Sequence, residues 1–164
     1  GTLEQIKGVV NVAAALQEQR VAERIQQAAE VSLRKHKVLT AIRVEYAQAK
    51  SIGGEILLWA VFSNLKKEGD FNLVILAGDA LIEKGKPTEK VATEAVEELE
   101  QEIKSGAAVD HHLADQLIQF MGILPGSEIK VREVSSHAQT NIEIVERFLP
   151  VKFEFKNNIL KCES

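Results

Sequence analysis

The chain has very few cysteine, proline and aromatic residues, and small secreted proteins usually depend on cysteine for disulfides. Its 164 residues include one cysteine and three prolines, and aromatic residues make up 5%. The single cysteine, Cys162, cannot form an internal disulfide, and chains without disulfides are typical of reducing compartments. The composition therefore excludes a disulfide-stabilised scaffold and predicts a cytoplasmic protein.

Long apolar segments and a conventional start are also missing. The longest apolar run, Ile56 to Phe62, stops at Ser63, whereas a membrane helix needs about 20 such residues. The first residues lack an initiator Met, a basic segment and an apolar segment, so we expect a fragment or a processed product. With 45% hydrophobic residues, the chain can form one ordinary globular domain or two small ones.

There is no basic excess either, because the formal net charge is -4. This argues against a broad basic face that coats duplex nucleic acid, since such binding depends on neutralising many phosphates. Recognition of an RNA end is still compatible with this net charge. The basic residues between 130 and 152 alternate with glutamates, a pattern that favours a mixed solvated surface over a phosphate cradle.

Hydrophobic periodicity predicts a first α/β part with the order βαβββα. The pattern places strands at 7–14, 42–46, 56–62 and 71–76, a polar loop at 66–70, and helices at 19–35 and after Gly85-Lys86-Pro87. A boundary is expected near Ser105-Gly106. The first half of the chain is thus an α/β (α+β) unit.

The second part is predicted to follow an α-βαβ order. It consists of a helix at 110–124, a strand ending near Val134, a helix that starts after Thr140 and runs to Leu149, and a closing strand at 151–155. Thr140 and Glu143 have the spacing of a capping box. Within the first helix, the expected buried stripe comprises Leu113, Leu117, Phe120, Met121 and Leu124. The opposite face then carries His112, Asp115, Gln116 and Gln119.

His137 is the residue whose predicted position suits chemistry. It is expected in a loop at 135–139, just before a helix whose free amides and dipole attract phosphate. A neutral imidazole there could attack phosphorus. The alternative is a loop histidine hydrogen-bonded to the backbone, and local sequence does not decide between the two.

Two other kinds of site are less well supported by the sequence. His111, His112, Asp115 and His137 could supply metal ligands, but no zinc motif accompanies them. Ser135 or Ser136 could act as a nucleophile, yet neither lies in a nucleophile-elbow motif.

Two segments resemble the RNA 3'-terminal phosphate cyclase family closely. Residues 108–117 read AVDHHLADQL, and residues 136–142 read SHAQTNI and lead to VERFLPV at 145–151. Weaker similarity reaches back through residues 85–87 to residues 20–25, so the resemblance spans nearly the whole chain. It implies an ATP-dependent enzyme of the ligase class that acts in RNA processing.

The resemblance also implies roles for individual residues. His137 would attack the α-phosphate of ATP and carry AMP, which then passes to an RNA 3'-phosphate before the 2',3'-cyclic phosphate closes. The nucleotide-binding segment would comprise His112, Leu113, Ala114, Asp115 and Gln116. His112 would stack on adenine, and Asp115 and Gln116 would orient the nucleotide or the nucleophile. Mg²⁺ or another divalent cation would offset phosphate charge.

The family resemblance further implies a domain plan. Residues 1–14 would end an upstream segment or form the first strand of an insert, residues 15–106 would form a thioredoxin-like inserted domain, and residues 107–164 would end a larger domain of repeated α/β units. Cyclases are about twice this length, so an N-terminal half would supply the glycine-rich signature and the metal contacts, and this chain alone would be inactive. One alternative is a noncatalytic relative that assists ribosome biogenesis by binding RNA and proteins; such relatives would lack the histidine. The other alternative is an isolated binding module.

Overall fold

The computed structural model describes residues 1–63 and 73–164, which form two compact units, Gly1–Gln101 and Glu102–Ser164. The strands are β1 Thr2–Ala13, β2 Leu39–Ala47, β3 Gly54–Ser63, β4 Val74–Ile82, β5 Glu128–Lys130, β6 Lys152–Lys156 and β7 Ile159–Glu163. The helices are α1 Val21–Leu33, α2 Thr88–Ser105, α3 His111–Ile123 and α4 Ser136–Phe148, with 3-10 turns at Ala14–Leu16 and Arg34–His36. Within the described residues, no helix is long and apolar enough to cross a membrane.

The first unit is built on a four-stranded mixed sheet with the order β2-β1-β3-β4. β1 runs parallel to β2 and antiparallel to β3, so it lies inside the sheet. Alternate residues of the central strands are buried, including Ile6, Val10, Ile56 and Leu58. This period of two is what a strand produces when one of its faces is packed against a core.

Helices α1 and α2 supply the rest of this core. The buried residues of α1 are Val21, Ala22, Ile25, Ala29 and Leu33, which recur at the helical spacing of three and four. Helix α2 lies close to β4 because Gly78 has no side chain, and a Cβ there would overlap the backbone of Leu99. The observed order of elements confirms the predicted βαβββα pattern.

The last strand of this unit differs from the sequence-based expectation. β4 extends to Ile82, whereas the pattern ended the strand at Leu76. The predicted loop at 66–70 and the beginning of the predicted strand at 71–76 lie outside the described residues. The units divide between Gln101 and Glu102, and the assignment of residues 15–106 to an inserted domain stays a prediction.

The second unit contains a three-stranded sheet with the order β5-β7-β6, in which both neighbouring pairs are antiparallel. β5, α4 and β6 therefore form a crossover whose two strands are separated by β7. β7 was not predicted, because the closing strand was expected at 151–155, where β6 lies. Asn157 and Asn158, which join β6 to β7, both have positive φ, and a pair of such residues is typical of a two-residue hairpin turn.

The face of α3 that is buried differs from the predicted one. Ala114, Ile118, Met121 and Gly122 are buried, whereas Leu113 is 40% exposed, Phe120 61% and Leu124 66%. Of the predicted stripe only Met121 is fully buried, and that prediction was wrong. The physical reason is close packing: a Cβ on Gly122 would meet the side chain of Val145, so α4 approaches the side of α3 that carries the smallest residues.

Candidate active site

Helix α4 begins earlier than the capping-box pattern predicted. Its first residue is Ser136, and its N-cap is Ser135, whose hydroxyl oxygen accepts a hydrogen bond from the Ala138 amide. Thr140 lies one turn inside the helix and donates its hydroxyl to the Ser136 carbonyl. The predicted start after Thr140 was therefore wrong, as was the strand ending near Val134, because β5 stops at Lys130. Serine is the better cap because its oxygen reaches an amide that has no partner in the helix.

His137 consequently lies in the first turn of α4 and not in a loop, and its side chain is exposed. The Ala138 amide is taken by the Ser135 hydroxyl, and the Gln139 amide donates to the Ser135 carbonyl. The amides of Ser136 and His137 precede these and point out of the helix end. An exposed imidazole thus stands beside outward-pointing amides at the positive end of a helix dipole, a place that favours phosphate.

Asp115 connects α3 to this helix start. One of its carboxylate oxygens accepts the Ser135 hydroxyl at 2.7 Å, and its backbone carbonyl accepts the Asn141 side-chain amide at 3.1 Å. Asp115 is half-buried, and a hydrogen bond to a charged acceptor is stronger than one between neutral groups. The two contacts fix the first two turns of α4 against the middle of α3.

The other residues predicted to bind nucleotide have different surroundings. His112 and Gln116 are exposed on α3, and Leu113 is also largely exposed. Ala114 is 2% exposed, so its methyl group packs in the core of the second unit and only its backbone remains for a ligand. The structure thus places Asp115 beside the cap of the helix that carries His137. A shared cleft that also includes His112 and Gln116 stays a prediction.

Two residues with a part in this geometry were not identified from the sequence. Ser135 was considered only as a nucleophile, and its actual role is to cap α4 and to bind Asp115. Asn141 lies one turn further along and holds the Asp115 backbone. The signal for Ser135 was available, since serine directly before a run with helical periodicity is a common N-cap.

Fold and site together define a class: a mixed α/β protein that presents an exposed histidine at a helix N-terminus, next to a half-buried carboxylate. Such an arrangement suits a phosphate-containing ligand. Comparison with known proteins makes the class specific. The family profile described as RNA 3'-terminal phosphate cyclase matches residues 3–155, and the chain belongs to that family.

Individual relatives agree with the family match. An RNA 3'-terminal phosphate cyclase of Pyrobaculum neutrophilum is 41% identical over 138 residues, which are 83% of this chain and 38% of the relative. The Pyrococcus abyssi protein of the same name is 40% identical over 141 residues, or 86% of this chain and 38% of the relative. The Methanosarcina barkeri protein is 42% identical over 115 residues, 70% of this chain and 31% of the relative. The chain therefore spans well under half the length of these relatives.

Proposed function

We propose that the protein converts an RNA 3'-terminal phosphate into a 2',3'-cyclic phosphodiester at the expense of ATP, and that His137 carries AMP between the two substrates. The observation that carries the proposal is the position of His137, exposed in the first turn of α4 and next to a cap bound by Asp115. Family membership supports the reaction class, since the relatives are named RNA 3'-terminal phosphate cyclase.

The proposed chemistry has three steps. A neutral ring nitrogen of His137 attacks the α-phosphorus of ATP, the bond to the β-phosphate oxygen breaks, and pyrophosphate leaves. An oxygen of the RNA 3'-phosphate then attacks the same phosphorus, and the phosphorus–nitrogen bond breaks. Finally the 2'-hydroxyl attacks the 3'-phosphorus, loses its proton and expels AMP. Imidazole suits this sequence because it is a nucleophile when neutral and a good leaving group when its phosphoramidate is protonated.

The surroundings of His137 would assist these steps in distinct ways. The outward amides of Ser136 and His137 would receive phosphate oxygens, and the helix dipole would favour their negative charge. Asp115 would hold the helix start in one position through Ser135, since a nucleophile must be aligned with its leaving group. His112 and Gln116, exposed on α3, would contact the base and the nucleotide. A bound divalent cation such as Mg²⁺ would offset phosphate charge.

We further propose that these residues work with a segment that supplies the remaining phosphate and metal contacts. The relatives are more than twice as long as the part that this chain matches. Leu113, Phe120, Ile123 and Phe148 leave large apolar surfaces exposed on α3 and α4, and such surfaces are usually covered in a complete protein. The 164-residue chain alone is then expected to form no appreciable AMP adduct, and addition of the N-terminal half in trans is expected to restore it.

The test is an AMP-labelling assay on the complete protein with α-labelled ATP and Mg²⁺. We expect acid-labile label on the unaltered protein, transfer of AMP on addition of RNA with a 3'-phosphate, and no label on His137→Ala. Glu143→Ala is the matched control, because Glu143 is exposed on the same helix. Label on His137→Ala equal to that of the unaltered protein would refute the assignment. RNA binding with no label on any variant would favour the noncatalytic alternative.

A further inference from the structure

Glu102 is a buried carboxylate to which the proposed mechanism gives no role. It lies near the end of α2 and is the first residue of the second unit. Its residue exposure is 0%, and its Oε2 atom is buried without a hydrogen-bond partner. Burying a charge without complete hydrogen bonding is unfavourable. Packing alone therefore does not explain why a carboxylate occupies this position, since an apolar side chain would fill the same space at a lower cost.

The other oxygen of Glu102 contacts two basic side chains. Oε1 lies 3.2 Å from Nδ1 of His111 and 3.4 Å from a guanidinium nitrogen of Arg132. Burial raises the pKa of Glu102, and the neighbouring Arg132 and His111 oppose that rise. The side chains of both partners are less than one fifth exposed, so the three groups form a cluster shielded from solvent.

The two partners belong to the two segments that carry the proposed site. His111 is the first residue of α3, and its ring lies 3.9 Å, centroid to centroid, from that of His112 at an angle of 37°. Arg132 lies in the connection between β5 and α4, three residues before the cap Ser135. Glu102 therefore fixes one neighbour of the nucleotide-binding segment and one residue of the segment that leads to His137.

We infer that Glu102 is a positioning residue for the nucleotide site: by holding the His111 ring, it orients the His112 ring that would stack on adenine. This inference rests on the proposed function. The geometry supports it because His112 is an exposed residue whose ring packs against the His111 ring, and Glu102 contacts the His111 ring. Glu102 touches no reacting atom in this account and acts only through His111.

The test compares Glu102→Gln with Glu100→Gln in the complete protein. Glu100 is a suitable control because it lies on the same helix, is 8% exposed, and pairs with Lys35 and His36. Loss of one charge-assisted hydrogen bond corresponds to about a tenfold effect, so we expect Glu102→Gln to raise KM for ATP about tenfold in RNA cyclisation. Its kcat is expected to change by less than about threefold, and Glu100→Gln to change KM by less than about twofold.

A double-mutant cycle separates positioning from a general loss of stability. If Glu102 acts through the His112 ring, Glu102→Gln should raise KM by less than about twofold in a His112→Ala background. His111→Ala, which breaks the same link and leaves the Glu102–Arg132 pair in place, should raise KM as much as Glu102→Gln does. Should Glu102→Gln fail to fold, His111→Ala still tests the link.

The outcomes also distinguish this inference from the proposed function. An unaltered protein that forms no AMP adduct and cyclises no RNA would overturn both. An active protein in which Glu102→Gln and His111→Ala leave KM for ATP unchanged would overturn the positioning role alone. Equal effects of Glu102→Gln with and without His112 would do the same, because the carboxylate would then act independently of that ring.

Discussion

Replacing Ser135 by alanine removes two hydrogen bonds from the start of α4. The Ser135 oxygen accepts the Ala138 amide at 2.9 Å and its hydroxyl donates to Asp115 at 2.7 Å. Loss of an N-cap costs about 1 kcal/mol, and loss of a hydrogen bond to a half-buried carboxylate costs about 1 kcal/mol or more. We therefore expect the free energy of opening of α4 to fall by about 2 kcal/mol, which corresponds to about 30-fold faster amide exchange.

Hydrogen exchange measured by mass spectrometry is the appropriate assay, because it reports each helix separately. Trp59 and Tyr46 both lie in the first unit, so intrinsic Trp or Tyr fluorescence would not follow α4. Ser135→Thr is the control, since threonine keeps the hydroxyl that serves both hydrogen bonds. AMP labelling should fall with Ser135→Ala and persist with Ser135→Thr. Unchanged exchange in α4 on Ser135→Ala, or equal exchange in the two variants, would refute the reasoning.

Three further outcomes follow from contacts in the second unit. Gly122→Ala should destabilise it by about 1 kcal/mol or more in thermal unfolding, although alanine favours helices, because the new Cβ would meet Val145. Glu146→Gln should be destabilising at pH 7, and the effect should diminish as pH falls through the folded-state pKa of Glu146, which the Lys152 hydrogen bond lowers from its ordinary 4.5. Phe148→Ser should reduce self-association of the chain in sedimentation experiments, because Phe148 is 83% exposed.

Each of these has an outcome that would contradict it. Stabilisation by Gly122→Ala would mean that α3 and α4 can separate without loss. For Glu146, the stabilisation is present above the ordinary carboxyl pKa and is lost as pH falls through the lowered folded-state pKa, so an effect that does not diminish at any acid pH where the protein stays folded would exclude the ion pair as its cause. Phe148→Ser should leave the helix content unchanged in circular dichroism. Unchanged self-association with intact helix content would mean that Phe148 does not mediate it, and a loss of helix would mean that the side chain supports the fold.

Sequence patterns predicted the order of the elements in the first unit from two simple signals. β1 carries alternating apolar residues such as the buried Val10 and Val12, and β3 coincides with the apolar run Ile56 to Phe62. The same reasoning failed on α3. That helix has apolar residues on two faces, and small residues such as Gly122 determined which face packs. Which small side chains meet a neighbouring helix depends on the tertiary structure, and hydrophobic periodicity does not show it.

The residues of the candidate site are proposed from family resemblance, and the sequence did not predict their local structure. His137, the proposed nucleophile, and the segment containing Asp115 were singled out by resemblance to a family, and membership of that family is confirmed. Their connection through Ser135 was not foreseen, because Thr140 and Glu143 offered a competing start for α4. The helix starts at Ser135 because this residue both caps the helix and hydrogen-bonds to Asp115. Asp115 lies 20 residues away in the sequence, so local patterns do not show this contact. Glu102 showed no sequence signal because its partners come together only in the fold.

The most direct test of the central claim is to locate the AMP adduct by mass spectrometry. The complete protein would be incubated with ATP and Mg²⁺, quenched at alkaline pH to preserve a phosphoramidate, and digested. We expect AMP on a ring nitrogen of His137, on the peptide that contains Ser135 to Arg147, and release of that adduct by RNA with a 3'-phosphate. AMP found instead on a lysine, or on His111 or His112, with His137 unmodified, would contradict it.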